Sequence, residues 1–358
     1  MKIAFYAGSC IPIEADSLEK RPLGGTETGA IRVAEILHRR GHQVTVFTSH
    51  QTPARSQPLY LPAGEILKVR PGHFDVCIFI QDWKGAAHGL PFPKQVFWTG
   101  DSYDQYMNFG IGDERVIEKV DRFFAVSNWQ ANALCAASGY PREQARVVQN
   151  GVHLPWFDGE ETRSHGKLIF TSSPYRGLAL VSRLFAELKN RHPEIELDVF
   201  SGLAVYDKEG PFQGPEVRQY EQIKKQLQEQ PSCVIHGNVT QQQLAREMMK
   251  AGIYFYPNVF VETSCIGAIE AQAAGCPIVT SALGALPETV GEAGFCIPGT
   301  FGSDEYNAAF IDATSRLLSD RELWEHCSTV GKQRAQSEFS WEHVADRFEL
   351  ELGELVSG

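Results

Sequence analysis

The sequence predicts an α/β protein made of two Rossmann-like domains, each a doubly wound parallel sheet, facing one another across a central cleft. Three observations carry this. Short apolar runs alternate with helical patterns, which implies parallel strands joined by crossover helices. The alternation occurs twice in succession. At 358 residues the chain is also longer than one hydrophobic core usually holds, so two domains are the default.

In the first set, KIAFYA, QVTVFTS, DVCIFI, KQVFWT and RFFAVS read as buried strands. The helix expected over 26–40 places Ala30, Val33, Ala34 and Leu37 on one face and ends at Gly41. The second set begins near Lys167 with KLIFTS, ELDVFS, SCVIHG, GIYFYP and PIVTSA, again separated by helical segments. Asn150-Gly151-Val152-His153 and the polar stretch 158–166 mark the join, so the domains are expected at 1–155 and 156–340. Asn-Gly is also a hairpin signal, but no strand pair of suitable length brackets it. The segments 51–71 and 202–215 carry no readable signal, and there is no internal repeat or low-complexity tract.

Composition narrows the partners. A formal net charge of −11 argues against a nucleic acid, which needs a clustered basic face. It also weakens attachment to anionic lipid, so peripheral membrane contact is unsupported. No uninterrupted apolar run reaches membrane-spanning length, and the first six residues read as a strand rather than a signal peptide. The eight cysteines are scattered without a C-x-x-C pair, several in apolar contexts. A reducing compartment, the cytoplasm, is expected over a disulfide framework.

The most informative stretch is 257–296, PNVFVETSCIGAIEAQAAGCPIVTSALGALPETVGEAGFC, with seven residues between Glu262 and Glu270. A helix is expected over 264–274, capped by Thr263 or Ser264 and left through Gly275. Its N-terminus offers unpaired backbone donors and a partial positive charge, an anion site. Glu270 falls further down the same helix, roughly 9 Å along the axis. A diphosphate joining two polyhydroxylated rings suits that arrangement. Two glutamates at this spacing taken alone also fit a solvated loop residue and the polar face of a helix.

The run E-T-S-C-I-G-A-I-E-A-Q-A-A-G-C-P-I-V-T, followed by G-A-L-P-E-T-V, resembles the signature of the family 4 retaining glycosyltransferases (glycosyl transferases group 1). The resemblance implies the GT-B fold and a nucleoside-diphosphate sugar as donor; no cofactor is expected and, with no metal motif in the sequence, no metal. It implies that Glu262 contacts the transferred sugar, that Glu270 holds the ribose hydroxyls and that the amides of Ser264, Cys265 and Ile266 receive the diphosphate. It also implies that the last helix, 341–358 after Phe339-Ser340-Trp341, crosses back onto the first domain. Asn150-Gly151-Val152 is similar to the family's interdomain linker.

Ligands of doubly wound sheets bind beyond the carboxyl ends of the strands, which singles out three loops. In Leu23-Gly24-Gly25-Thr26-Glu27, Gly24 and Gly25 let the backbone approach a ligand closely. Thr26 as a helix cap is the plainer reading, and the family's glycine-rich loop at this place favours contact with donor and acceptor. In Thr171-Ser172-Ser173-Pro174-Tyr175-Arg176-Gly177-Leu178, Arg176 is the cation for a diphosphate. The family commonly shows a second cation earlier in this loop, where this chain has Thr171 or Ser172. After KQVFWT, many members carry a histidine where this chain has Thr99 and Gly100. Asp101 is the candidate there to accept a hydrogen bond from the acceptor or the sugar. Trp98, Tyr103 and Tyr106 are candidates to stack on a sugar ring or to serve as packing. His236, with Gly237 and Asn238, stands at a strand end near where the family seats the base; a structural histidine fits equally.

No H-E-x-x-H, clustered Cys/His spacing or G-x-S-x-G elbow is present. The expected activity is retaining transfer of a sugar from a nucleotide sugar to an acceptor hydroxyl, with Arg176, Glu262 and Asp101 as the catalytic set. The alternatives are a catalytically silent nucleotide-sugar-binding protein and a same-fold nucleotide-sugar epimerase. Phosphorylase-like chemistry would need a pyridoxal-bearing lysine, and the glycine-rich loops of the second domain have none.

Overall fold

The computed structural model describes residues 1–21, 23–50, 56–105, 110–203 and 215–358. It divides into two compact units, one formed by Met1–Gly151 with Phe339–Gly358, the other by Val152–Glu338.

The first unit is built on β1 (Lys2–Ala7), β2 (Gln43–Thr48), β3 (Leu59–Pro62), β4 (Val76–Ile80), β5 (Gln95–Thr99), β6 (Arg122–Ala125) and β7 (Ala145–Val147). They form one sheet in the order β3-β2-β1-β4-β5-β6-β7, every pairing parallel. Alternate residues of β1 feed opposite faces: Ile3 and Phe5 join one apolar cluster and Ala4 the other. A sheet covered on both sides needs apolar residues on both, which is why these strands read as unbroken hydrophobic runs. The helix Gly25–Arg39 and the C-terminal helix Trp341–Ser357 cover one face together. Phe348 of the latter lies edge-on to Trp98 and Phe124, at 4.9 and 5.3 Å between ring centres. Two glycines make room for Trp341: a Cβ on Gly151 would lie 2.5 Å from its ring, and one on Gly29 3.4 Å.

The second unit repeats the plan with β8 (Lys167–Thr171), β9 (Glu196–Phe200), β10 (Cys233–Ile235), β11 (Ile253–Tyr256), β12 (Ile278–Ser281) and β13 (Gly294–Ile297). The order is β10-β9-β8-β11-β12-β13, again with all pairings parallel. In each sheet the strand order reverses beside the first strand, between β1 and β4 and between β8 and β11. Those reversals are the switch points where the loops at the strand ends splay apart.

All ten strands expected from the sequence are present, within one or two residues of their ends. The sequence reading missed β3, β7 and β13. Each is a short strand of three or four residues at or beside a sheet edge, too brief for a periodic signal. Among the described residues no helix is long and apolar enough to cross a membrane. None of the eight cysteines is joined to another.

Candidate active site

In the second unit the two loops at the switch point meet. Arg176 ends the short helical turn Pro174–Arg176 after β8, and Glu262 lies in the loop after β11. One guanidinium nitrogen, Arg176 Nη1, donates to both carboxylate oxygens of Glu262, at 2.9 Å to Oε1 and 3.0 Å to Oε2. The phenol of Tyr256, the last residue of β11, donates to Oε1 at 2.6 Å. Glu262 is 4% exposed, so a carboxylate otherwise costly to bury is held by one charged and one neutral donor. The guanidinium also lies over the Phe260 ring, 4.2 Å from its centre.

The backbone carrying these groups is fixed from several sides. Gly177 takes φ +118°, and a Cβ there would lie 2.1 Å from the Pro257 carbonyl, so the two loops touch backbone to backbone. Gly284, at φ +62°, likewise leaves a Cβ only 2.2 Å from the Glu262 carbonyl, which accepts from the Ala285 amide at 2.7 Å. The G-A-L-P-E segment is thus the floor under Glu262. Buried Asn258 pins the loop's other end, its side chain accepting from the Phe260 amide at 3.0 Å and its carbonyl accepting from Ser281 Oγ at 2.5 Å.

The helix after this loop begins later than expected. It spans Ile266–Ala273 with Cys265 as N-cap in a left-handed conformation, φ +71°, and neither Thr263 nor Ser264 caps it. The reason lies outside the helix: the Ser264 carbonyl accepts from Thr289 Oγ1 at 2.5 Å and Ser264 is buried, so the chain enters through a tight turn. The first-turn amides therefore belong to Ile266, Gly267 and Ala268, rather than 264–266, and Ala268 N already donates to the Cys265 carbonyl at 3.1 Å. Gly267 matters here because a Cβ would lie 2.6 Å from the Tyr254 hydroxyl. Gly275 makes the left-handed exit at φ +66°. Glu270 is four residues into the helix, about 6 Å along the axis rather than 9. It is half-buried, and burial pushes its carboxyl up to about 8.

The other residues expected in this unit lie apart from that contact set. His236 Nε2 meets Asp198 Oδ1 at 2.9 Å, and its ring stacks on Phe200 at 4.4 Å between centres. Asp198 also pairs with Lys167 at 2.5 Å, so His236 belongs to a satisfied polar cluster across β8, β9 and β10. Gly237 is left-handed at φ +73°, and a Cβ on Gly202 would meet the Asn238 side chain at 2.3 Å. Thr171 and Ser172, standing where a second cation was sought, serve the tyrosines: Thr171 bonds to Tyr254 and Ser172 to Tyr256.

In the first unit, Gly24 is the N-cap of the helix Gly25–Arg39, in place of Thr26, and Gly25 is its first residue. A Cβ on Gly24 would lie 2.7 Å from Glu27 Oε2. Glu27 is buried and accepts from the Ile11 amide at 3.2 Å. Asp101 Oδ2 accepts from Gln81 Nε2 at 2.8 Å, and that same nitrogen lies 3.3 Å from Thr26 Oγ1. Burial, opposed by the bonds from Gln81 and Thr99 and assisted by the charge on Glu27, pushes the Asp101 carboxyl up to about 6. Gln130 braces the loop, donating to the carbonyls of Thr99 and Asp101 at 3.0 and 2.7 Å. Trp98 is core packing at 3% exposure; Tyr103 is 47% exposed, and Tyr106 lies outside the described residues. Gln81, held at φ +55° just after β4, and Tyr256 had no sequence signal beyond standing at strand ends.

Residues 170–334, which include Arg176, Glu262 and Glu270, match the family model described as glycosyl transferases group 1. An MMP alpha-(1->4)-mannosyltransferase from Mycolicibacterium hassiacum is 28% identical over 314 residues, 80% of this chain and 72% of that protein. Sucrose-phosphate synthase from Thermosynechococcus elongatus superimposes with a TM-score of 0.76 at 16% identity, covering 100% of this chain and 99% of that one. Anabaena HepE, solved in complex with UDP-glucose, gives 0.75 at 15% identity, covering 99% and 100%. By fold, then, this is a GT-B protein, two parallel α/β units in succession, and its residues 170–334 carry the sequence pattern of the group 1 glycosyltransferases.

Proposed function

We propose that the chain is a retaining, nucleotide-sugar-dependent glycosyltransferase of family 4 that delivers a sugar to an acceptor hydroxyl without a metal ion. The observation that carries this reading is the Arg176–Glu262 pair at the β8/β11 switch point, beside the start of the helix Ile266–Ala273. As the bond from the anomeric carbon to the diphosphate breaks, negative charge grows on the leaving oxygen. Arg176 and the amides of Ile266 and Gly267 are the donors suited to meet it, helped by the partial positive charge of the helix end. Glu262 accepts from a hydroxyl of the transferred sugar, and Glu270, further down the helix, from the ribose. The acceptor oxygen bonds to the anomeric carbon, and its proton passes to the departing diphosphate. Asp101 orients the acceptor or the sugar.

UDP-, GDP- and ADP-sugars assayed by thermal shift and by release of the nucleoside diphosphate test this. One base class should stabilise the protein by about 2.7 kcal/mol at a hundred times its Kd. Its sugar nucleotide should release the nucleoside diphosphate in the presence of an acceptor. Neither stabilisation nor release from any donor would overturn the reading. An isomerised donor formed without acceptor would assign epimerisation instead.

A further inference from the structure

Arg176 faces two demands. Its Nη1 is the donor to both oxygens of Glu262, yet its guanidinium is also the group suited to a diphosphate. Among the described residues, Oε2 of Glu262 has Arg176 as its partner, whereas Oε1 has both Arg176 and Tyr256. When an anion draws the guanidinium, Oε2 is released and Oε1 is not.

We propose that Tyr256 is a positioning residue, whose hydroxyl keeps Oε1 of Glu262 in place when Arg176 turns to a bound diphosphate, so that Oε2 is presented to the sugar. This rests on the glycosyltransferase reading above. The geometry around Tyr256 suits the task. Its ring is 1% exposed, wedged 5.8 Å from Phe170 and 5.5 Å from Tyr254 between ring centres. Such a ring has no room to follow a moving partner. A phenol has one proton to give, and the carboxylate can only accept. The contact of Ser172 Oγ with the Tyr256 hydroxyl, 3.4 Å, therefore has Ser172 donating, which aligns Ser172, Tyr256 and Glu262 in one direction. Burial and the neighbouring Glu262 charge raise the phenol well above its ordinary range, so it remains a donor throughout the working pH.

The test is a double-mutant cycle of Tyr256→Phe and Glu262→Gln. Release of nucleoside diphosphate is followed with UDP-glucose, UDP-N-acetylglucosamine, GDP-mannose and ADP-glucose. The phenylalanine retains the ring against Phe170 and Tyr254, so the fold should persist, checked by an unchanged circular dichroism spectrum. Expected is a fall in kcat of about 10- to 100-fold, the range for a hydrogen bond to a charged group, with the donor KM within about 3-fold. In the Glu262→Gln background the same change should cost less than about 2-fold, since the carboxylate it positions is gone. A Tyr256→Phe enzyme with undiminished kcat, or one equally impaired in both backgrounds, would overturn the assignment while leaving the transferase reading intact. A wild-type chain that releases nucleoside diphosphate from none of the donors would overturn both.

Discussion

Replacing Arg176 with alanine should damage stability as well as turnover, because its partner is buried. Glu262 exposes 6% of its side chain and Arg176 26%. Removing one member of a buried ion pair typically costs about 3–5 kcal/mol, since the other charge is left uncompensated. Two features reduce that here: Tyr256 continues to donate to Oε1, and a quarter of the arginine side chain already meets water. Against them stands the lost contact with the Phe260 ring, worth about 0.5–1 kcal/mol. A net cost of about 2–3 kcal/mol follows from combining these terms. For a domain the size of Val152–Glu338, that corresponds to a Tm lower by about 4–12 °C. Calorimetry of Arg176→Ala measures it, with Arg176→Ala/Glu262→Gln as the control. Removing the stranded charge should restore part of the loss. A single variant melting within about 1 °C of wild type, or a double variant whose losses simply add, would refute the argument from a buried pair. Turnover is a separate quantity: under the proposed mechanism, in which Arg176 is a donor to the leaving group, its loss should cost on the order of 3 kcal/mol in the barrier, about 150-fold.

Three further outcomes are expected. The carboxyl of Glu270 sits at about 8 in the fold against 4.5 normally, so the folded state binds the proton more tightly, and stability must fall as pH rises between those values. Glu270→Gln should therefore gain Tm over wild type progressively from pH 5 to 8, and parallel curves would remove the buried-carboxyl account. For Asp101, raised to about 6 by burial, the carboxyl is protonated below that pH and becomes a carboxylate accepting at both oxygens above it. If it orients the acceptor, kcat/KM should fall below about pH 6 and Asp101→Asn should abolish that limb; a limb that survives belongs to another group. Gly284→Ala puts a Cβ 2.2 Å from the Glu262 carbonyl at φ +62°. It should lower stability by about 2–4 kcal/mol and weaken donor binding together, measured by urea unfolding and nucleotide thermal shift.

What the amino-acid sequence determined by itself was the layer plan. Doubly covered parallel strands must be apolar on both faces, and KIAFYA, DVCIFI, GIYFYP and their kin are legible because burial leaves a continuous run. Gly275 was legible for a different reason, since a helix exit asks for a backbone shape that a side chain obstructs; the close approaches at Gly177 and Gly284 were not, because the backbone each abuts, at Pro257 and Glu262, is distant in the chain. Edge strands such as Ala145–Val147 were not legible, because three residues carry no period. Only the tertiary structure decided where the helix Ile266–Ala273 begins, since the bond from Thr289 to Ser264 that tightens its entry spans 25 positions of chain. It likewise decided that Arg176 and Glu262, 86 positions apart, form one ion pair and that Tyr256 completes it. Local propensity depends on neighbours along the chain, whereas a buried charge chooses its partners through space.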